Sequence, residues 1–169
     1  MTENQLRYST VLFDWGDTIM RDDPNQKTPI VEWETIEVIE GIANVLAYLH
    51  ASGWRIVMAT SASVSDESQI RGALARCGLD EYFSSIYCFK NTNLPKGEAL
   101  YRHILNDLGI SASDAVMIGD SFEKDVQAAN IVGMFAVWFN PNSEETRKDA
   151  LHITVNSMRE LEKFFISFD

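Results

Sequence analysis

Short apolar runs alternate with amphipathic segments along most of this sequence, and this alternation restricts the fold more than any other feature. The apolar runs have the length of buried strands, and they lie at 11–13, 56–59, 86–89, 115–118, 135–139 and 152–155. The remaining segments are predicted as helices, mostly because apolar residues recur at helical spacing, and they lie at 42–50, 65–77, 96–108, 122–131 and 157–168. Strands that alternate with helices predict right-handed crossovers, and therefore a parallel sheet with helices on both faces.

One stretch, residues 21–41, does not follow the alternation. It contains Pro24 and Pro29, and charged residues crowd positions 21–27. About twenty residues are too few to build a core of their own. The whole chain has 169 residues, close to the size of one domain, about 150 residues. We therefore expect a single domain over 1–169, in which residues 21–41 form a flap or loop beside the strand ends.

The charge balance and the cysteines exclude several functional classes. The formal net charge of −11 disfavours binding to nucleic acid or to an anionic membrane, because both need clustered Lys and Arg. An acidic site can still accept an anionic substrate when a metal ion lies between them. Cys77 and Cys88 form neither a zinc motif nor a disulfide framework. Residues 1–5 lack a signal-peptide pattern, and the longest uncharged run, 126–143, contains Asn, Gly and Pro, so we expect a cytoplasmic protein without a membrane span.

Three polar residues lie directly after predicted strands: Asp14, Thr60 and Asp120. The carboxyl ends of parallel strands meet at one edge of a sheet, and ligands of such sheets bind there. The sequence therefore predicts a functional site around these three side chains. Trp15 and Trp33 are aromatic candidates for its entrance, but a Trp that follows a buried strand more commonly packs in the core. We expect packing for Trp15 and leave Trp33 open between the two roles.

Four short motifs resemble those of the haloacid dehalogenase-like (HAD) hydrolase superfamily, in the family's order. Residues 13–18, Phe-Asp-Trp-Gly-Asp-Thr, resemble the first motif, and residues 56–61, an apolar strand that ends in Thr-Ser, resemble the second. Lys96 corresponds to the lysine of the third motif, and residues 118–125, with the pattern GDxxxxD, match the fourth. Each motif alone is a weak signal, but together they are specific, and the resemblance covers residues 8–140. It implies a Rossmann-like, three-layer α/β/α fold of the HAD type.

The resemblance also implies a phosphatase that works through an aspartyl-phosphate intermediate. Asp14 matches the residue that attacks phosphorus, a strategy that splits one difficult displacement into two easier ones. Asp14, the backbone carbonyl of Gly16, and Asp120 match the family's Mg²⁺ ligands. Asp125 is expected to act on the same ion through a water molecule. Mg²⁺ prefers oxygen ligands and would offset the repulsion between the attacking carboxylate and the phosphoryl group.

Two further positions match residues that contact the phosphoryl group in this family. Thr60 would donate a hydrogen bond to a phosphoryl oxygen, and the neighbouring Ser61 is an alternative donor. Lys96 would supply positive charge to the transition state. Lys90 is the competing lysine in the same part of the sequence.

The sequence departs from the family pattern at Gly16. Family phosphatases usually carry an aspartate two residues after the nucleophile, as general acid for the leaving group and base for water. Here that position is Gly16, and the next residue is Asp17. General acid–base help is worth about 10² to 10⁴ in rate, so its loss would slow alkyl phosphates more than acyl or aryl phosphates, which leave without a proton. Asp17 would replace the missing acid only if the turn rotates it towards the leaving group, and the alternative is a catalytically weak or inactive HAD-fold protein that binds a phosphorylated partner.

The segments between the motifs, 19–59 and 61–95, are short and are largely used by the sheet's own strands and helices. Family members usually close the site with a cap domain, so this chain is expected to lack one and to carry residues 21–41 in its place. An open site does not exclude water or enclose a small substrate by itself. Such a site would accept a bulky substrate, for instance a phosphoprotein, or would use a lid from a second copy in a homo-oligomer. The expected substrate is therefore a phosphoprotein or, where a lid is supplied, a phosphorylated small molecule.

A receiver-like signalling domain also combines Asp, Thr and Lys around Mg²⁺. Its phosphorylated aspartate would follow the third strand, but here the third predicted strand ends in Phe89-Lys90-Asn91. The order of the residues therefore disfavours the receiver class.

Overall fold

Six parallel strands form one sheet in the computed structural model, which describes residues 8–169. The strands are β1 (Thr10–Phe13), β2 (Arg55–Ala59), β3 (Ser85–Tyr87), β4 (Ala115–Gly119), β5 (Phe135–Phe139) and β6 (His152–Val155). Their order across the sheet is β3-β2-β1-β4-β5-β6, and every neighbouring pair is parallel. The order of the strands therefore reverses between β1 and β4. The predicted α/β fold class is confirmed.

Helices cover both faces of the sheet. They are α1 (Ile42–Ala51), α2 (Glu67–Arg76), α3 (Phe89–Thr92), α4 (Glu98–Leu108), α5 (Ala128–Ile131) and α6 (Met158–Ile166). A π-helix, Phe122–Gln127, leads directly into α5, and 3₁₀ turns lie at Ile30–Glu32, Asp80–Tyr82 and Ala112–Asp114. Successive residues of β1 point to different cores: Val11 and Phe13 pack with α1, α2 and α6, whereas Leu12 packs with α4 and α5. The strands are apolar on both faces because both faces are covered.

At two of the element boundaries that differ from the predicted ones, a polar side chain is the cause. The strand predicted to reach 89 ends at Tyr87. The side chain of Asn91 accepts a hydrogen bond from the Cys88 N–H and donates one to the carbonyl of Ile86, and these bonds turn the chain into α3. The helix predicted from 65 begins at Glu67, because Asp66 is its N-cap and accepts a hydrogen bond from the third residue of the helix.

The segment 21–41 is fastened to the rest of the domain by hydrogen bonds. The Ile39 N–H donates to the carbonyl of Ile19 at 2.9 Å. The guanidinium group of Arg76, at the end of α2, donates to three backbone carbonyls of the segment. The turn Ile30–Glu32 is the regular structure that the segment contains. This agrees with a loop, and its use as a flap stays a prediction.

The expectation of no signal peptide rests on residues 1–5, which lie outside the described residues. Within residues 8–169, none of the helices combines the length and the apolar character that crossing a bilayer requires.

Candidate active site

Three carboxylates meet at the carboxyl ends of β1 and β4, where the strand order reverses. Asp14 directly follows β1 and Asp120 directly follows β4. The Asp14 N–H donates to the carbonyl of Ile118 at 2.9 Å, which continues the pairing of the two strands. Asp125 reaches the same place from the π-helix, and one oxygen from each carboxylate lies within 4.8 Å of the other two. The structure therefore brings together the three carboxylates predicted to surround a metal; below they are called the acidic cluster.

Lys96 lies between two members of the acidic cluster. It comes from the loop before α4, and its side chain is only 3% exposed. Its ammonium group contacts the Asp14 carboxylate and lies 2.5 Å from Oδ1 of Asp125. Burial by itself would lower the pKa of Lys96, but the charges of the two aspartates outweigh burial and raise the pKa. The competing Lys90 is exposed on α3, so the structure places Lys96, and not Lys90, in the site.

The acidic cluster has the charge and the ligand type of a divalent-cation site. Burial raises the pKa of Asp120 to about 8, and a hydrogen bond with Asp14 and the negative charge of Asp14 act in the same direction. Burial also raises the pKa of Asp125, against the opposing charge of Lys96. When ionised, three carboxylates and one ammonium group leave two negative charges uncompensated. All three residues offer oxygen ligands, which Mg²⁺ prefers, so these side chains fit Mg²⁺.

Three residues to which the sequence analysis gave no role position Asp125: Gly119, Tyr101 and Ser121. A Cβ atom on Gly119 would lie 2.1 Å from Oδ2 of Asp125, so only a glycine leaves room for this carboxylate. The hydroxyl of Tyr101, buried on α4, donates to the carbonyl of Lys124 at 2.9 Å and lies 3.5 Å from Oδ1 of Asp125. The Ser121 N–H donates to Oδ2 at 2.9 Å. The glycine was visible in the GDxxxxD pattern, whereas Tyr101 looked like one more residue on the buried face of a helix.

Two threonines add hydroxyl groups around the nucleophile candidate. Thr60 follows β2 and is buried, and its Oγ1 accepts the Ala62 N–H at 3.0 Å. Its hydroxyl proton remains available for donation to a ligand. Thr18 donates to Oδ2 of Asp14 at 3.3 Å. Ser61, the alternative to Thr60, is exposed and lines the same cavity.

Gly16 and Asp17 form a tight turn after β1. Asp17 has a φ of +60°, and its backbone N–H donates to the carbonyl of Met20 at 2.6 Å. Its exposed carboxylate accepts the Asp22 N–H at 3.1 Å, and its negative charge contributes to the raised pKa of Asp120. The structure therefore brings Asp17 to the rim of the site, where its carboxylate is bonded to the backbone of the 21–41 segment.

A cavity of about 450 Å³ opens above the acidic cluster. Its walls come from the turn after β1, from the 21–41 segment and from residues 61–65. Trp33 lines this cavity and its indole N–H donates to the carbonyl of Thr28 at 3.0 Å. Trp15 is 4% exposed and belongs to the core, as expected, although it also borders the cavity.

The reversal of strand order, with an acidic cluster and a buried lysine at that point, defines a doubly wound α/β domain with a candidate cation site at its switch point. The chain belongs to the haloacid dehalogenase-like hydrolase family, whose sequence pattern matches residues 16–133. The resemblance that the four motifs suggested is confirmed.

Solved structures share the fold. An uncharacterized protein from Listeria monocytogenes serotype 4b matches with a TM-score of 0.79 and 22% identity, over 95% of this chain and 98% of that one. A HAD phosphatase from Thermococcus onnurineus matches with a TM-score of 0.64 and 27% identity, over 77% of this chain and 59% of that one.

Characterised relatives resemble part of the chain. The pyrimidine 5'-nucleotidase PynA of Streptococcus pneumoniae is 32% identical over 81 residues, and the ribulose-1,5-bisphosphate 5-phosphatase of Halopiger xanaduensis is 29% identical over 112 residues. These matches cover 47% and 66% of this chain. They cover 34% and 46% of the two relatives, so the matched chain spans about a third to a half of their length.

Proposed function

We propose that this chain is a Mg²⁺-dependent phosphatase that hydrolyses phosphate esters or acyl phosphates through an aspartyl-phosphate on Asp14. The observation that carries the proposal is the buried Asp14 carboxylate, held by Lys96 within the acidic cluster at the reversal of strand order. The names of the characterised relatives describe a nucleotidase and a phosphatase of phosphorylated small molecules, which supports the same class of substrate here.

In the proposed first step, an oxygen of Asp14 forms a bond to phosphorus and the bond from phosphorus to the leaving oxygen breaks. Lys96 offsets the negative charge of the carboxylate and of the phosphoryl oxygens, and the Thr60 hydroxyl donates to one of these oxygens. In the second step, a water oxygen attacks phosphorus and Asp14 leaves as a carboxylate. This sequence replaces one direct displacement by two easier ones.

Asp14, Asp120 and Asp125, with the backbone carbonyl of Gly16, are the proposed holders of Mg²⁺. The positive charge that Mg²⁺ supplies when bound offsets the repulsion between the Asp14 carboxylate and an incoming phosphate. The chain's own contribution is to hold these carboxylates close together although burial and mutual repulsion disfavour their ionised forms.

The shape of the site bears on the size of the substrate. We propose a single domain in which residues 21–41 serve as the flap, since this segment forms one wall of the cavity. A phosphorylated small molecule fits a cavity of about 450 Å³. A phosphoprotein substrate, or a lid from a second copy of the chain, stays a prediction drawn from the absence of a cap.

A second candidate function is favoured by one observation, the glycine at position 16. A chain without a proton donor at the site would bind phosphorylated molecules and turn them over poorly. It would act as a binding protein for a phosphorylated partner, with the same acidic cluster and Mg²⁺.

The experiment compares the hydrolysis of p-nitrophenyl phosphate and acetyl phosphate with Mg²⁺ and with EDTA, for the wild-type protein and for Asp14→Asn. We expect Mg²⁺-dependent turnover that the substitution abolishes, because the amide does not form the acyl phosphate. Asp149→Asn is the matched control, since Asp149 is an exposed carboxylate on the loop before the edge strand β6, and it should retain full activity. Turnover that persists in Asp14→Asn would contradict the proposal, whereas Mg²⁺-dependent binding of phosphorylated compounds without turnover would support the second candidate.

A further inference from the structure

The carboxylate of Asp22, in the 21–41 wall of the cavity, has no hydrogen-bond donor or cation as a partner among residues 8–169. Asp22 is exposed and lines the cavity together with Asp14. The two neighbouring acids are engaged differently. Oδ1 of Asp23 accepts hydrogen bonds from the backbone and the side chain of Asn25, and the carboxylate of Asp17 accepts the Asp22 N–H. In contrast to these two acids, neither oxygen of the Asp22 carboxylate is engaged by a donor, so both are open to a ligand in the cavity.

The Asp22 carboxyl group lies directly beside Gly16. A Cβ atom on Gly16 would lie 3.4 Å from Cβ, 3.6 Å from Cγ and 3.8 Å from Oδ2 of Asp22. A side chain at position 16 would thus project onto the Asp22 carboxyl group. Position 16 is two residues after Asp14, where the resemblance places the proton-transferring aspartate. The space beside that position contains a carboxylate, but a different residue supplies it.

Hydrogen bonds on either side of Asp22 hold its backbone in this place. Oδ1 of Asp17 accepts the Asp22 N–H at 3.1 Å, and the Asp17 N–H donates to the carbonyl of Met20 at 2.6 Å. The Arg21 N–H donates to the carbonyl of Glu37 at 2.8 Å. Asp17 adopts a φ of +60°, a conformation that Asp tolerates better than most residues, and this turn directs its carboxylate to the Asp22 backbone.

We propose that Asp22 is the general acid and base of this site and that Asp17 is the residue that positions it. The inference rests on the proposed phosphatase function. In the first step the Asp14 oxygen bonds to phosphorus, the bond from phosphorus to the leaving oxygen breaks, and the protonated Asp22 carboxyl gives its proton to that oxygen. In the second step water attacks phosphorus, the bond to Asp14 breaks, and the Asp22 carboxylate takes a proton from the water. The products are the alcohol and inorganic phosphate, and both aspartates return to their starting forms.

The test is Asp22→Asn, which keeps the size of the side chain and the backbone hydrogen bond to Asp17 but replaces the carboxyl group by an amide that cannot act as an acid or a base. We expect the kcat/KM for glycerol 3-phosphate to fall by about 10² to 10⁴. p-Nitrophenyl phosphate needs no acid in the first step, so its first turnover should remain fast. The second step lacks its base, and a burst of p-nitrophenol equal to the enzyme concentration should be followed by slow turnover. Intact-mass spectrometry of acid-quenched samples should then show a phosphorylated chain that accumulates.

Two variants separate proton transfer from a change of charge or shape. Asp23→Asn makes the same charge change one residue along and should change neither the alkyl phosphate rate nor the burst. The double variant Gly16→Asp with Asp22→Ala returns a carboxylate to the same space from position 16, because alanine removes the carboxyl group onto which a side chain at position 16 would project. It should recover turnover of glycerol 3-phosphate by about tenfold or more over Asp22→Ala alone, because the space and not the sequence position matters.

The outcomes distinguish this inference from the function on which it rests. Full activity of Asp22→Asn on glycerol 3-phosphate, with Asp14→Asn inactive, would overturn the role of Asp22 and leave the phosphatase intact. A burst and a loss of alkyl phosphate turnover in Asp17→Asn, with no change in Asp22→Asn, would overturn it in favour of Asp17. A wild-type protein that hydrolyses none of the three phosphates would remove the proposed function itself.

Discussion

At the scale of the residue, the site concentrates negative charge that the protein by itself does not neutralise. Burial and the neighbouring Asp14 raise the pKa of Asp120 to about 8. The unfolded chain ionises the same group near pH 3.9, as an unperturbed aspartate does. Between these two values folding requires the uptake of a proton, so this group lowers the stability of the metal-free protein as the pH rises. The cost in stability disappears when the group is protonated at low pH, and a bound cation would remove it at higher pH.

This charge predicts the behaviour of Asp120→Asn. In EDTA at pH 8 the variant should be more stable than the wild type by about 1 kcal/mol, a value that allows for solvent screening of a partly exposed carboxylate. This free energy corresponds to a Tm roughly 2–4 °C above that of the wild type. At pH 4 the difference should shrink, because the aspartate is then protonated in the folded state and partly protonated in the unfolded chain. Added Mg²⁺ should raise the Tm of the wild type but not that of the variant. Thermal melts with and without Mg²⁺ measure both effects, and an Asn variant that melts below the wild type in EDTA at pH 8 would contradict the argument.

At the scale of the element, the π-helix after β4 is a device for placing Asp125. Ser121 caps it by accepting the Lys124 N–H at 3.2 Å, and its own N–H bonds to Asp125. The carboxylate then lies directly over the Cα atom of Gly119. The predicted helix over 122–131 is present as this π-helix followed by α5, so the periodicity identified a helix but not its wider first turns.

The close approach over Gly119 predicts that Gly119→Ala displaces Asp125. The new methyl group would overlap atoms of a buried carboxylate, and overpacking of this kind costs about 1–3 kcal/mol. The stabilisation by Mg²⁺ should disappear with the displaced ligand. Urea unfolding with and without Mg²⁺ measures both quantities.

Gly72→Ala serves as the comparison for this substitution. Its Cβ would lie 2.9 Å from a methyl group of Val31, so the half-buried Val31 has to shift, and this cost is offset because Ala is favoured over Gly inside α2 by about 1 kcal/mol. We expect Gly72→Ala to stay within about 1 kcal/mol of the wild type and to keep the effect of Mg²⁺. Equal losses in the two glycine variants would show that Gly119 has no special role.

At the scale of the whole molecule, the last helix joins distant parts of the chain. Phe165 on α6 is fully buried, and its ring meets that of Trp54, just before β2, edge to face with centroids 5.1 Å apart. At the other end of α6, Met158 packs closely against Gly41, because a Cβ atom on Gly41 would lie only 2.9 Å from Cβ of Met158. Gly41 also has a φ of +86°, a conformation that favours glycine. The final helix therefore completes the core on the face of α1 and α2, and the predicted apolar stripe of α6 faces that core.

Truncation of Phe165 should consequently weaken the entire domain. Phe165→Ala leaves a cavity in the core and should lower the free energy of unfolding by about 3–5 kcal/mol. Ile166→Ala, one residue along and 47% exposed, should change it by no more than about 0.5 kcal/mol. The midpoints of urea unfolding give both values, and similar effects of the two substitutions would mean that α6 does not share the core.

Much of the fold and part of the site follow from local features of the sequence. The alternation of apolar runs and helical periodicities determined the α/β class, because a strand or helix buries the faces that its own periodicity makes apolar. The same alternation placed Asp14, Thr60 and Asp120 at strand ends, and parallel strands bring such ends to one edge. The structure confirms this fold and brings these residues together, while their chemical roles stay predictions.

Only the tertiary structure decided the choices that depend on distances between residues far apart in the chain. It selected Lys96 over Lys90, because one ammonium group lies between two buried carboxylates and the other lies in solvent. It placed the Asp22 carboxylate beside Gly16, a contact that neither the periodicity of the sequence nor the spacing of its motifs predicts. Local sequence patterns indicate which face of a strand or helix is buried. Which side chains face each other across a cavity depends instead on the path of the loop that returns to the sheet, and only the folded chain determines that path.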